Sequence, residues 1–301
     1  MGLGPHAARW GGERTRLLRG SLDGTGEPGS PSLEFDWERI EGLPWCNGFE
    51  SGLADGGASG EAGEGEGGAR RAFFAGLAAS VQSELEHVML DFLRKLRRRT
   101  GEENLVLVGG VALNSVLNGR IAREAGFSRV WVPPAPDDAG IPSGCAAFAA
   151  NVMLPRLGLP PAPPRAAPFP AYQGIEHSKQ EVLDAIEEFA PWVEAVPLPP
   201  ARRAHPGLDE RQAAVAELAA AAILDGEVLA LVDGRSELGA RALGHRSILA
   251  DARRADIHTR VNRIKRREQW RPLAPSVAAE AADEFFEGVP AGGSPYMSFT
   301  A

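Results

Sequence analysis

Three segments of this 301-residue sequence combine residue types that can act on a ligand. The most informative is Gly234-Arg-Ser-Glu-Leu-Gly-Ala-Arg-Ala-Leu-Gly-His-Arg-Ser247, in which three arginines alternate with three glycines. A guanidinium fork matches the paired oxygens of a phosphate or carboxylate, and glycine lets the main chain fold tightly around them. A merely solvated charged face has no need of glycine at this density, so the segment reads as an enclosed anion-binding loop. Asn262, Lys265, Arg266, Arg267, Glu268 and Arg271 extend the basic character downstream, whereas Arg253, Arg254, Arg260 and Arg263 read as solubilising charges on a helix.

The second segment is Val108-Gly109-Gly110-Val111-Ala112-Leu113-Asn114, a strand that breaks into two glycines and opens a helix. Such a turn admits a ligand close to the backbone and aims free helix N–H groups at a nucleotide phosphate, although a ligand-free strand-to-helix turn needs the same glycines. The third is Pro133-Pro-Ala-Pro-Asp-Asp-Ala-Gly140, where carboxylates at a strand end could hold a divalent cation or simply cap the next helix.

The elements that must position these residues follow from periodicity. Phe73, Phe74, Leu77, Val81, Leu85, Val88, Met89, Phe92 and Leu96 recur at helical spacing and end in Lys95, Arg97, Arg98 and Arg99, which favours a helix C-terminus. Residues 104–108 and 129–132 read as strands, each followed by a helix, over 112–125 and 143–153. The proline-rich stretch 155–170 marks a domain boundary, since proline there excludes helix and central strand. Beyond it the pattern predicts helices over 178–189, with Ser178 as N-cap, and 208–224, then a strand over 228–232 that runs into the arginine loop. The resulting division is a poorly structured region over 1–69, a first domain over 70–154, a linker over 155–170 and a second domain over 171–301.

Composition narrows the class. With 44% hydrophobic and 24% charged residues, 36 glycines and 24 prolines, the chain is neither collagen-like nor disordered throughout. Two cysteines without a CxxC pattern argue against a zinc site and a disulfide scaffold. No apolar run reaches membrane-spanning length and the first eighteen residues lack a signal-type hydrophobic stretch, so a soluble cytoplasmic protein is expected. The formal net charge of −8 is unevenly spread: residues 47–69 carry five acids, nine glycines and no base, as a flexible acidic linker would, while residues 235–271 carry eleven bases against four acids. A basic segment raises the possibility of nucleic-acid binding, but the glycines indicate a pocket rather than an open stripe, and Trp270 alone offers no stacking platform.

Read together, the motifs resemble those of the O-carbamoyltransferases of nodulation-factor and antibiotic biosynthesis. The resemblance runs from about residue 79 to the C-terminus. It rests on Gly-Gly-Val-Ala-Leu-Asn at 109–114, Asp-Ala-Gly at 138–140, the run from Gly234 to Asp251, and Arg-Pro-Leu-Ala-Pro-Ser at 271–276. It implies an α/β protein: the C-terminal part of an actin-like ATPase-fold domain, similar to the tRNA threonylcarbamoyl transferases, followed by a partial YrdC-like domain. It also implies that carbamoyl phosphate and ATP give carbamoyl adenylate and pyrophosphate, and that the carbamoyl group then passes to a hydroxyl of a small-molecule or glycan acceptor. By that resemblance Arg241, Arg246, Lys265 and Arg271 hold carbamoyl phosphate and the ATP phosphates. Gly109, Gly110, Asn114, Ser247 and Asn262 bind the cofactor, Asp138 is one ligand of an iron-like divalent metal, and Mg²⁺ is a further candidate ion.

The chain departs from the family pattern at several points. Leu238-Gly239-Ala240 stands where Phe-Gly-Pro is usual, and His245 where Asn is common. None of the six histidines forms the family's His-x-x-x-His pair, and the expected further C-terminal strands are missing, so the resemblance implies a shortened chain with an incomplete metal site. A non-catalytic nucleotide- or partner-binding protein is the alternative from another class, and an RNA-binding protein a third.

Overall fold

The computed structural model describes residues 18–19, 34–35, 66–163, 171–290 and 293–300. Of the region expected to be unstructured, it describes a two-residue antiparallel pairing of β1 (Leu18–Arg19) with β2 (Glu34–Phe35) and the start of α1 (Glu66–Thr100). The helix therefore begins four residues inside the stretch read as linker; residues 47–65 lie outside the described residues.

The first unit is built on α1. Its apolar stripe meets β3 (Asn104–Val106), α2 (Ser115–Glu124) and β4 (Arg129–Trp131), with β3 and β4 paired in parallel register from Asn104 opposite Arg129 to Val106 opposite Trp131. Leu90, Leu93, Leu117, Ile121, Ala125 and Phe127 form the buried cluster, and Leu105, Leu107 and Val130 pack on it from the sheet. Residues 105–108 form a continuous apolar run. The two-residue period puts Leu105 and Leu107 inward, while Val106 and Val108 stay 59% and 68% exposed. After β4 the chain enters α3 (Ile141–Phe148), widens through a π-turn at Ala149–Met153 and ends in α4 (Leu154–Arg156). The helical stretch thus runs past the expected end at 153, and Pro155, expected to exclude helix, sits at the second position of α4, where its missing N–H costs little.

The second unit carries α5 (Lys179–Glu188), α6 (Glu210–Leu224), β5 (Leu229–Val232), β6 (Arg246–Leu249), α7 (Ile257–Ile264) and α8 (Ala282–Phe285). Both long helices open with a reciprocal capping box, Ser178 with Glu181 and Asp209 with Gln212, which satisfies two otherwise orphaned donors at each start. β5 and β6 pair antiparallel from Leu229 opposite Leu249 to Val232 opposite Arg246, so the arginine loop is the connection between them. Arg253 and Arg254 lie before α7 rather than on it, each paired with a nearby aspartate, Asp251 and Asp256.

The chain then returns to the first unit. Buried Asn118 on α2 donates to the Ser298 carbonyl at 2.9 Å, the Thr300 N–H donates to the Ser115 carbonyl, and Arg123 donates to the Thr300 carbonyl. A Cβ on Gly119 would lie 2.5 Å from that last carbonyl, so glycine is what allows the tail to lie on α2. Among the described residues no helix is long and apolar enough to cross a membrane.

Ile121, fully buried, and Val106, exposed on the far side of the same sheet, give opposite expectations. Ile121→Ala should cost about 2–5 kcal/mol in denaturant unfolding, whereas Val106→Thr should stay within ~0.5 kcal/mol.

Candidate anion-binding site

The arginine loop is shaped by one carboxylate. Glu237 Oε1 accepts the main-chain N–H groups of Leu243, His245 and Arg246 at 2.7, 2.8 and 3.0 Å, drawing the second half of the loop around itself. Burial alone would raise the pKa of this carboxyl. The N–H donors outweigh burial and lower it from the ordinary 4.5 to about 2. Residues 171–175 line the other side: Ala171 and Ile175 accept from Leu238 and Ser236, and the Gly174 N–H donates to the Ser236 carbonyl. Tyr172 stacks on His245 with ring centroids 3.7 Å apart and donates its hydroxyl to the Leu243 carbonyl. His245 therefore fills a packing position. Ser247 Oγ accepts the Gly244 N–H, and Arg246 spends its two terminal nitrogens on the carbonyls of Asp233, His245, Gly234 and Ile175.

Arg241 points the other way, into the first unit. Its Nη2 donates to the Leu113 carbonyl at 2.7 Å, at the end of the turn that begins with the paired glycines. Gly239, at φ +101°, makes the approach feasible: a Cβ there would be 2.3 Å from the Pro134 carbonyl. Nη1 of Arg241 and Oδ1 of Asp137 are both buried and neither has a hydrogen-bond partner. Burial lowers the Arg241 pKa, and the negative charge of Asp137 offsets part of that effect.

Gly109 has φ +95°, and its N–H donates to the Pro136 carbonyl, so the glycine turn and the Pro/Asp loop are joined. Open space lies where a Cβ would stand on Gly109 and on Gly110. That is the form a close backbone approach to a nucleotide would take. Asn114 serves α2 directly: its Oδ1 accepts the Leu117 N–H as N-cap, and it exchanges hydrogen bonds with Gln82. Asp138 is exposed, and among the described residues no three His, Cys, Asp or Glu side chains converge as a metal would require. The residues present do not fit a metal by themselves.

The downstream residues form a separate cluster. Asn262, fully buried, donates to the Arg271 carbonyl at 2.9 Å and accepts from Arg267 Nε, while Arg267 Nη2 reaches the Pro272 carbonyl. Arg271 pairs with Glu268 and lies 5.4 Å from the Trp270 ring centre. No hydrogen bond or ion pair joins this cluster to the arginine loop among the described residues. Arg235, Arg263, Lys265 and Arg266 keep side chains without a hydrogen-bond or ion-pair partner there, so the free positive charge of the segment resides on them.

The structure thus brings together Gly109, the Leu113 carbonyl, Asp137, Gly239 and Arg241. Ser247 and Arg246 sit within the loop, and Asn262 and Arg271 clamp the turn after α7. Sequence reasoning missed Glu237 and Asp137 as individual residues. A lone carboxylate among arginines and glycines was the available signal for Glu237, whereas Asp137 takes its importance only from Arg241, which lies a hundred residues away. Because the Glu237 pKa is lowered on folding, its stabilising effect is present above about pH 4.5 and is lost as pH falls toward about 2. Glu237→Gln should lower stability at pH 7 by ~1 kcal/mol, with the difference from wild type narrowing on acidification; a gap unchanged between pH 7 and 2 would refute the role.

Comparison with known proteins identifies the family. Residues 63–147 match the family profile described as carbamoyltransferase N-terminus, and residues 220–301 match carbamoyltransferase C-terminus. The chain is 41% identical over 212 residues to nodulation protein NolNO of Sinorhizobium fredii, covering 70% of this chain and 28% of that protein. It is 38% identical to nodulation protein NolO of Bradyrhizobium diazoefficiens over 74% of this chain and 38% of the relative. It is 32% identical to nodulation protein U of Azorhizobium caulinodans over 74% and 34%. The chain thus spans about a third of the length of these curated relatives. With both profiles of one family matched in their N-to-C order, and with nodulation proteins among its relatives, the chain belongs to the carbamoyltransferase family.

Proposed function

We propose that the protein takes part in ATP-dependent O-carbamoyl transfer: carbamoyl phosphate, water and ATP give carbamoyl adenylate, phosphate and pyrophosphate, the water ending up in the phosphate, and the carbamoyl group then passes to a hydroxyl of a small-molecule or glycan acceptor with release of AMP. The observation that carries this reading is the docking of the arginine loop, through Arg241, onto the turn that follows Gly109 and Gly110. One element supplies fixed cations for an anionic donor, the other a glycine turn open to a nucleotide, and they meet. We assign the first unit to an actin-like domain and the second to a YrdC-like domain on the same resemblance.

In this reading Lys265, which is exposed and unpartnered, meets the transferring phosphoryl or acyl-phosphate oxygens as a point charge. Arg241 holds an anionic oxygen in bidentate fashion once released from Leu113, and Arg271 can follow if it exchanges Glu268 for substrate. Arg246, Ser247 and Asn262 act by holding the loops in shape, through the hydrogen bonds they already make. Gly109 and Gly110 admit the nucleotide, and Asn114 fixes the helix beside it. ATP supplies the adenylyl group; Asp138 alone does not make a metal site, and no step is assigned to a metal.

The test is carbamoyl-phosphate-dependent exchange of labelled pyrophosphate into ATP. Lys265→Ala and Arg241→Ala should each lower that exchange by about 100-fold or more, as loss of one charge-stabilising group does. Unchanged exchange in both variants would overturn the assignment.

A further inference from the structure

Arg241 is engaged by a neutral acceptor in a junction that does not satisfy it. One terminal nitrogen donates to the Leu113 carbonyl, while the other is buried and bonded to nothing. Asp137 Oδ1, on the loop against which Gly239 packs, is equally buried and unpartnered, and no ion pair closes the gap between the two side chains. Two orphaned polar atoms in a closed contact make that contact cheap to open, because each regains hydration or a partner when the loops part. Among the described residues, closure is held by one charge-to-carbonyl hydrogen bond and by the fit of Gly239 under Pro134 and Ala135.

We infer that the contact of Gly239 and Arg241 with the Leu113 and 133–137 loops is a latch that a phosphate-like anion opens by taking the Arg241 guanidinium from the Leu113 carbonyl. A phosphate oxygen forms a charge-assisted, bidentate bond where the carbonyl offers one lone pair, so the exchange favours the anion. Release frees Leu113, the last residue of the short helix that starts at Gly110, so anion binding at the arginine loop loosens the glycine turn. By linkage, any ligand on the glycine turn that draws Leu113 away from Arg241 raises anion affinity by the same factor. The inference rests on the proposed reading only in taking the arginine loop as anion-binding; it stands or falls independently of carbamoyl chemistry.

Gly239 gives the discriminating test. Alanine there meets the Pro134 carbonyl only in the closed arrangement, while the strain of its positive φ is common to both arrangements if the loop keeps its shape. In the 301-residue chain, with pyrophosphate as probe in calorimetry, Gly239→Ala should bind about five-fold more tightly than wild type or better, because the competent state no longer competes with closure. A purely structural contact predicts equal or weaker binding, and that result would overturn the latch. In the wild-type chain, pyrophosphate should speed amide hydrogen exchange across residues 109–114 and 133–138, and Arg241→Ala should abolish the response. Should Gly239→Ala fail to fold, the exchange measurement decides: no binding, or binding with those amides unchanged, would overturn the inference. Loss of carbamoyl-dependent exchange with the pyrophosphate response intact would instead count against the proposed function alone.

Discussion

The three main-chain hydrogen bonds gathered by one oxygen of Glu237 set the form of everything around them. Without them the segment from Gly234 to His245 would be a glycine-rich connection with too many conformations to hold arginines in fixed directions. With them, the loop turns back on itself between β5 and β6, residues 171–175 line one side, and Tyr172 stacks on His245 at its partly exposed edge. A carboxylate serves this purpose because burial is opposed by several aligned N–H dipoles at once, so it stays charged and each bond remains charge-assisted.

Once the loop has that form, its arginines take different duties. Arg246 is directed inward and consumed by carbonyls, which makes it a staple. Arg241 projects outward across the junction, where the missing side chain of Gly239 lets the two units touch. The same glycine logic recurs at the other end of the first unit, where Gly119 leaves room for the returning tail and Asn118 and Arg123 tie it down. The two units are therefore joined at two places around α2, once at the turn before it and once along its side. A change in the tail or in the arginine loop has a short mechanical path to the glycine turn.

The basic segment looks uniform when charge is counted along the chain, yet hydrogen bonding divides it. Arg253 and Arg254 are balanced by Asp251 and Asp256, Arg260 by Glu227, and Arg271 by Glu268. What remains to attract an anion is a smaller set, Arg235, Arg263, Lys265 and Arg266, with Arg241 available on exchange. Local charge density thus predicted an anionic ligand, while pairing decides which cations can meet it.

The amphipathic period of α1, the apolar cores of β3 and β5, the cap at Ser178, and the glycine-punctuated arginine motif were all legible in the amino-acid order. Each is a local pattern whose physical cause lies within about a dozen residues: helical spacing, strand alternation, a capping side chain, a flexible turn. Family membership was legible for the same reason, since it resides in short motifs. What the order of residues left open was pairing at a distance. Nothing near Arg241 specifies the Leu113 carbonyl, nothing near Asn118 specifies Ser298, and nothing near Asn114 specifies its exchange with Gln82. Those choices belong to tertiary structure, because a polar side chain takes whichever partner the packing of remote elements brings within about 3 Å.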